Sequence, residues 1–506
     1  MSRTRRAGVA AAFGYAQFAV SFVTGILLVP FILRQVGSEA YGVWLAFGEL
    51  LAYSAMVDLG VLNVLPWLLA EEDGRGDREA MRSVISGGLV LAVSAALLFG
   101  VLAVGLLTLA PALTGLSVEQ RAPVIGPFLL LVGATVVAYP LRTFYASLIG
   151  LQDFAFTGTV SVLQGVLGAA ITVTLLAAGQ GLYALAAGAG IPTVLACIAS
   201  VLRLRRRAPD LLHGWRMPPF RLVRSIAAQG VGSWMGALGW RMVAASNTIV
   251  VLSVAGPEAA VVYAMTAKLG DILTQVSWQL PDSGLVGLAQ LRGEGRPQRV
   301  REVVVSLLRL TMIGSGAVAC AVLAFNPAFV TLWVGGERFG GMALNALLAV
   351  VVLGVSLSHG MYVTGATLGM RVQAGWATLV QGVVHLGLAV LLGRALGLAG
   401  VALAGAISAF LVAYPAGVWM LERTTGLTHA ELWREALGPW AVRGMLLLLL
   451  GLGVGMGLYP VSPWLPLALA PALGVLYLWA MRPLFATIPL PERIRPLLAR
   501  IRLVPG

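Results

Sequence analysis

Apolar residues in this chain come in long unbroken runs rather than on the alternating faces of a soluble helix. Fourteen runs, each about 20 residues or more with scarcely a charge, lie at about 9–33, 41–66, 84–110, 123–149, 157–178, 181–202, 226–253, 260–287, 303–325, 342–366, 372–393, 399–421, 442–459 and 464–481. The first follows Arg3, Arg5 and Arg6, is too long for a signal-peptide core and has no small-residue cleavage site after it. Membrane strands would need alternating segments about ten residues long, which are absent, so each run predicts a helix. The expected fold is an all-α polytopic membrane protein with about 14 transmembrane helices.

Polar connections between the runs reveal a repeat. Displaced by 219 positions, Gly37-Ser-Glu-Ala-Tyr-Gly-Val-Trp44 falls on Gly256-Pro-Glu-Ala-Ala-Val-Val-Tyr263. In the loop that follows, without a gap, Gly74 meets Gly293, Gly76 meets Gly295 and Arg82 meets Arg301. Between 37 and 84, 12 of 48 positions are identical, where roughly four are expected from such a composition. Each repeat holds six runs, an even number, so the two halves point the same way and should be related by a pseudo-twofold axis along the membrane normal. The expected organisation is a six-helix lobe at 1–202, a basic inter-lobe loop at 203–225 and a second six-helix lobe at 226–421. An interfacial segment at 422–441, two extra helices at 442–481 and a basic tail at 482–506 follow.

Hydrophobic residues make up 59% of 506 and charged residues 11%, and the mean hydropathy is +0.90, far from the range of water-soluble domains. A formal charge of +13 would suit nucleic acid, but the distribution argues for membrane orientation instead. Basic residues number 26 in alternate connections and the two ends, against four in the intervening loops, Arg34, Arg121, Arg338 and Arg394. By the positive-inside rule both termini are cytoplasmic. Cys197 and Cys320 lie inside apolar runs, and the four histidines have no ligand spacing, so no metal or cofactor site is expected. Thr428 with Glu431 forms a capping box, and Leu427 with Leu432 a staple; they predict a short surface helix ending near Gly438-Pro439. In the tail, Ile494, Leu497, Leu498 and Ile501 share one helical face, which would rest on anionic headgroups, or else the end is basic without fixed structure.

Pro30-Phe-Ile-Leu33, Gly37-x-x-x-Tyr41-Gly42-Val-Trp44 and Asp58-Leu-Gly60 resemble the opening of the polysaccharide flippases of the multidrug, oligosaccharidyl-lipid and polysaccharide exporter superfamily. Beyond the first two runs the resemblance lies in helix count, duplication and the basic inter-lobe loop. It implies two six-helix lobes that alternate between inward-facing and outward-facing states. They would carry a polyprenyl-diphosphate-linked oligosaccharide to the outer leaflet of a bacterial inner membrane, for a surface polysaccharide such as an O-antigen or exopolysaccharide. Membrane lipids and a polysaccharide polymerase would be partners, and nucleic acid would not. Lipid II flippases tend to have fourteen spans and drug antiporters twelve, so the extra pair of runs points to the glycan branch.

Ionisable groups inside spans are costly and face a bundle interior or water. The candidates are Glu49, Asp58, Arg142, Arg241, Lys268, Asp271 and Arg309. Arg241, near the middle of its run with no acid three or four positions away, calls for a partner on another helix or a ligand, and its planar donors suit a diphosphate. Arg142 and Lys268 are further candidates for the cavity lining. Lys268 and Asp271 are three apart and could instead neutralise one another. Glu49 and Lys268 are equivalent in the repeat and could meet as an outer gate. Asp58 could bind a coupling cation, cap a helix break or contact sugar hydroxyls. Arg309 lies near the end of its run, where snorkelling explains it. Gln17, Asn63, Gln164, Asn247, Gln275 and Gln279 could hydrogen-bond sugars but are expected rather to bond between helices, and His359 and His385 to be packed and satisfied. Two other readings compete, a cation-coupled multidrug exporter of the same superfamily and a lipid II flippase-like transporter or membrane glycan polymerase. Coupling to H⁺ or Na⁺ is left open by the sequence.

Overall fold

The computed structural model describes residues 3–58, 60–114, 117–213 and 217–485, all of them in helices and their connections. The tail beyond Phe485, with the Ile494–Ile501 face, lies outside the described residues. The helices are α1 (Arg3–Val36), α2 (Ser38–Ser54), α3 (Val61–Arg75), α4 (Arg78–Thr114), α5 (Val118–Gly150), α6 (Phe154–Ala177), α7 (Leu182–Arg207), α8 (Phe220–Ala244), α9 (Asn247–Ala255) and α10 (Pro257–Ser283). They continue as α11 (Leu285–Gly293), α12 (Pro297–Val334), α13 (Gly341–Thr367), α14 (Arg371–Ser408), α15 (Tyr414–Thr425), α16 (His429–Leu432), α17 (Gly438–Leu458), α18 (Trp464–Ala468) and α19 (Ala470–Phe485).

Every predicted run is helical, but not every run is one helix. Among the described residues, ten helical segments can cross a membrane by length and composition, the longest, Arg371–Thr425, containing two runs joined at Gly397. The runs at 41–66, 260–287 and 464–481 are not among them. The first is interrupted by a 3-10 turn at Ala55–Asp58 and restarts at Gly60 with φ 73°, a backbone that side chains with a Cβ disfavour. A Cβ there would also come within 2.9 Å of the Gly230 carbonyl of α8. The break exposes backbone acceptors, and the Trp234 indole N–H donates to one of them, Met56 O, at 2.5 Å.

The duplication is visible in the backbone. Gly37 and Gly256, 219 apart, have φ of 84° and 88°, and each carbonyl accepts at 3.2 Å from the amide four residues on. Gly76 and Gly295 repeat the match, with φ of 74° and 68° and each N–H donating at 3.1 Å to the carbonyl three residues back.

Two compact units make up the chain, one of Met1–Leu238 with Gly256–Ala260 and one of Gly239–Ala255 with Val261–Gly506. In the first, α4 packs on α5, α5 and α6 on α7, α1 on α6, and α3 on both α4 and α5. In the second, α12 packs on α13, α13 on α14 and α15, α9 on α14, and α11 on α12 and α13. Most of these pairings correspond, with α14, which bends at Gly397, standing opposite both α6 and α7. Leu65, Leu69, Met81, Leu148 and Leu204 centre the first core, while Leu308, Met361, Leu421, Leu432 and Met481 centre the second. The additional α17 and α19 join the second unit through apolar packing and through Tyr477, which donates to Ile313 O at 2.7 Å and accepts from the Trp440 indole at 3.4 Å.

Polar groups fasten the corners. Asp153, 7% exposed, closes the α5–α6 connection and accepts from Arg203 Nε at 2.9 Å and Arg207 Nη1 at 2.7 Å, both in the last turns of α7. Burial pushes its carboxyl up, but the hydrogen bonds from Arg203 and then Arg207, with their charges, carry it below the usual carboxylate range. In the second unit Thr428 and Glu431 form the expected capping box, and Leu427 and Leu432 are both fully buried. The helix does not stop at Gly438-Pro439. It passes through a π turn at Trp433–Leu437 straight into α17, where Pro439 has no N–H to offer the Glu435 carbonyl four residues back. Arg309 donates to the Glu435 carbonyl at 2.8 Å and Arg301 pairs with Glu431 at 2.8 Å, so both side chains anchor this segment to α12.

Candidate functional site

α10 carries a polar stripe through an otherwise apolar region. Lys268, Asp271, Gln275, Trp278, Gln279 and Asp282 fall within about 100° of one another on the helical wheel. Asp271, Gln275 and Gln279 are exposed and Lys268, Trp278 and Asp282 half-buried, whereas Tyr263, Met265, Ala267, Gly270 and Thr274 behind them are buried. Fourteen residues at 1.5 Å each give the stripe a length of about 21 Å, most of the hydrocarbon thickness. This stripe keeps α10, although 27 residues long, from counting as an apolar span. A face of this composition must meet water or a polar ligand rather than acyl chains. Among the described residues neither glutamine bonds to another helix, contrary to the expectation for Gln275 and Gln279. Lys268 and Asp271 form no ion pair there, although the charge of the lysine still acts on the carboxylate.

At the C-terminal end of the stripe stands a cluster that sequence reasoning missed. Both Asp282 oxygens lie within 3.2 Å of His359 Nε2 on α13, the nearer at 3.0 Å. The His359 ring stacks on Trp278, with centroids 4.0 Å apart and planes 8° apart. Trp278 donates its indole N–H to Ser356 Oγ at 3.0 Å and meets Trp240 of α8 edge to face at 5.4 Å. His359, expected to be packed and satisfied, is bonded and half-buried. The carboxylate that satisfies it is 77 positions away in sequence. A signal for Asp282 was present in the 271–275–278–282 spacing.

The remaining candidates lie on other elements. Arg241, expected near the middle of a continuous run, sits half-buried in the last turn of α8. Its carbonyl accepts from Ala245 N at 2.8 Å before the helix breaks and α9 begins at Asn247. A guanidinium there also meets the negative end of the helix dipole. Arg142 is half-buried on α5 with its guanidinium 5.8 Å from the ring centroid of Tyr139, itself 1% exposed. Glu49 is half-buried on α2. Asp58 closes the 3-10 turn at Ala55–Asp58, its side chain lying outside the described residues, as does that of Asn63. Gln164 bonds Thr193 across α6 and α7 at 2.9 Å, and Asn247 bonds His385 across α9 and α14 at 3.0 Å, as interior polar residues were expected to do. Gln17 is exposed on α1.

No family model matches the chain. Over 436 residues, 83% of this chain and 84% of the other, it is 22% identical to EpsK of Bacillus subtilis (strain 168), described as an uncharacterized membrane protein. Among solved structures it is similar to the lipid II flippase MurJ in an inward closed conformation, with a TM-score of 0.66 and 13% identity, covering 96% of this chain and 100% of that one. It is also similar to a multidrug resistance MATE family transporter of the MOP superfamily. The outward-facing form gives a TM-score of 0.60 at 14% identity over 83% of this chain and 96% of that one. The inward-facing form gives 0.60 at 15% over 82% and 95%. At such identities the likeness is one of fold: this chain has the all-helical transporter architecture found in MATE exporters and in the lipid II flippase, and it spans the latter from end to end.

Proposed function

We propose that the protein is a flippase that carries a polyprenyl-diphosphate-linked oligosaccharide from the cytoplasmic to the outer leaflet by alternating access, for assembly of a surface polysaccharide. The observation that carries this reading is the α10 stripe. Two charges, a carboxylate–imidazole pair, two exposed amides and an indole over about 21 Å form a surface suited to hydroxyls and acetamido groups. A compact hydrophobic cargo would need less. Coverage supports the same choice, because the flippase likeness takes in 96% of the chain, against 82–83% for the drug exporter.

Arg241, Arg142 and Lys268 would offset the desolvation of the diphosphate as it enters. Energetics need no nucleotide. A headgroup with about two negative charges leaving a cell interior negative by about 100 mV gains roughly 2 × 2.3 kcal/mol. Exposed Asp271 favours a second reading, a cation-coupled multidrug exporter, since a carboxylate in a wet span also suits an organic cation. Deleting the gene tests the two. Lipid-linked oligosaccharide should accumulate in the inner leaflet, shielded from externally added glycosidase, with surface glycan lost. Unchanged glycan together with raised sensitivity to cationic dyes would refute the flippase reading in favour of the exporter.

A further inference from the structure

We propose that Trp240, Trp278, His359 and Asp282 form a subsite for an uncharged pyranose ring of the cargo, an assignment that rests on the flippase reading above. These side chains come from three helices, α8, α10 and α13. Trp278 is fixed on two sides, by the hydrogen bond to Ser356 and by the stacked His359 ring. It in turn sets the angle of Trp240 at 66° to its own plane, and Trp240 remains 39% exposed. An indole held this way offers an apolar face without paying further rotamer entropy on binding.

Beside it, the Asp282 carboxylate is 36% exposed. It has about four lone-pair sites, and a single imidazole nitrogen reaches its two oxygens, which leaves acceptors for hydroxyls. Gln279 and Gln275 supply neutral amide donors and acceptors one and two turns along the same exposed face. A pyranose has the complementary layout, with an apolar C–H face bounded by hydroxyls that both donate and accept. An organic cation fits less well, because it would have to displace His359 from the Asp282 carboxylate, whereas hydroxyls need only the lone pairs that the imidazole leaves open.

The test compares two lipids in proteoliposomes of the full-length protein, a polyprenyl diphosphate bearing a neutral trisaccharide and the same lipid without sugar. Trp278→Leu and Asp282→Asn should slow flipping of the glycan-bearing lipid at least fivefold and the bare lipid less than twofold, with Trp278→Phe restoring the former. Equal slowing of both lipids, as a merely structural role requires, overturns the subsite, and so does no slowing of either. A second readout separates this inference from the reading beneath it. In nanodiscs, saturation transfer from protein to free neutral trisaccharide should be seen for the wild type and lost in both variants. Saturation transfer without flipping of either lipid would sink the flippase reading and leave the sugar site standing. Displacement of the trisaccharide by tetraphenylphosphonium would make the cluster a cation site and overturn the proposal.

Discussion

Replacing Asp153 by Asn removes the charge that holds the α5–α6 corner to the end of α7 while keeping nearly the same shape. The acid is 7% exposed, but the Arg203 and Arg207 side chains are 43% and 37% exposed, so each guanidinium can rehydrate when released. Two charge-assisted bonds worth about 1.5–3 kcal/mol each are thereby discounted to a net loss of about 2 kcal/mol. At 1.4 kcal/mol per decade, local opening of this corner should become about 30-fold more frequent. Hydrogen–deuterium exchange reads this directly at the amides of Leu151, Gln152, Asp153 and Thr157, each bonded to a backbone carbonyl of the same corner. Because the folded carboxyl lies below its ordinary range, the stabilisation is fully present above that range and is lost as pH falls through the depressed value. Protection in the wild type should therefore decline in acid, and in the Asn variant it should be independent of pH there. Exchange within threefold of wild type at neutral pH, or the same acid dependence in both proteins, would refute the reasoning.

Asn326→Leu should lower the thermal midpoint in detergent, at a cost of about 2 kcal/mol, because its amide bonds Thr266 O at 2.7 Å and Asn345 Oδ1 at 2.8 Å, uniting α10, α12 and α13. An unshifted midpoint would mean that the buried acceptors find other donors. Arg241→Lys should keep part of the flipping of bare polyprenyl diphosphate and Arg241→Ala should lose at least tenfold, measured in proteoliposomes; equal rates in Lys, Ala and wild type would exclude a phosphate contact.

Local chemistry was legible in the sequence and distant pairing was not. The capping box at Thr428 and Glu431 was readable because both partners lie within one turn. The glycines at 37 and 256 announced the repeat because the same left-handed backbone is needed at each. The run at 41–66 read as one helix because its average is apolar throughout; what interrupts it is the Asp58-Leu-Gly60 corner, together with an indole from α8. Averaging also hid α10, whose polar positions recur at helical spacing but are diluted by Val, Ile and Leu between them. Asn326, just past the end of one apolar run, and Asn345, near the start of the next, gave no hint that they bond each other. Likewise His359 could not disclose Asp282, since a side chain in one span finds its partner through packing and not through spacing.

The two copies of the ancestral segment no longer share one mechanical character. In the first, the helix is interrupted after Ser54 and restarts at Gly60, and the Trp234 indole hydrogen bond to Met56 O reaches the interruption. In the second, α10 continues unbroken to Ser283 before it yields. The earlier copy is therefore interrupted in mid-run, while the later one carries its polar groups on one continuous helix, so that their spacing follows the helical repeat from Lys268 to Asp282.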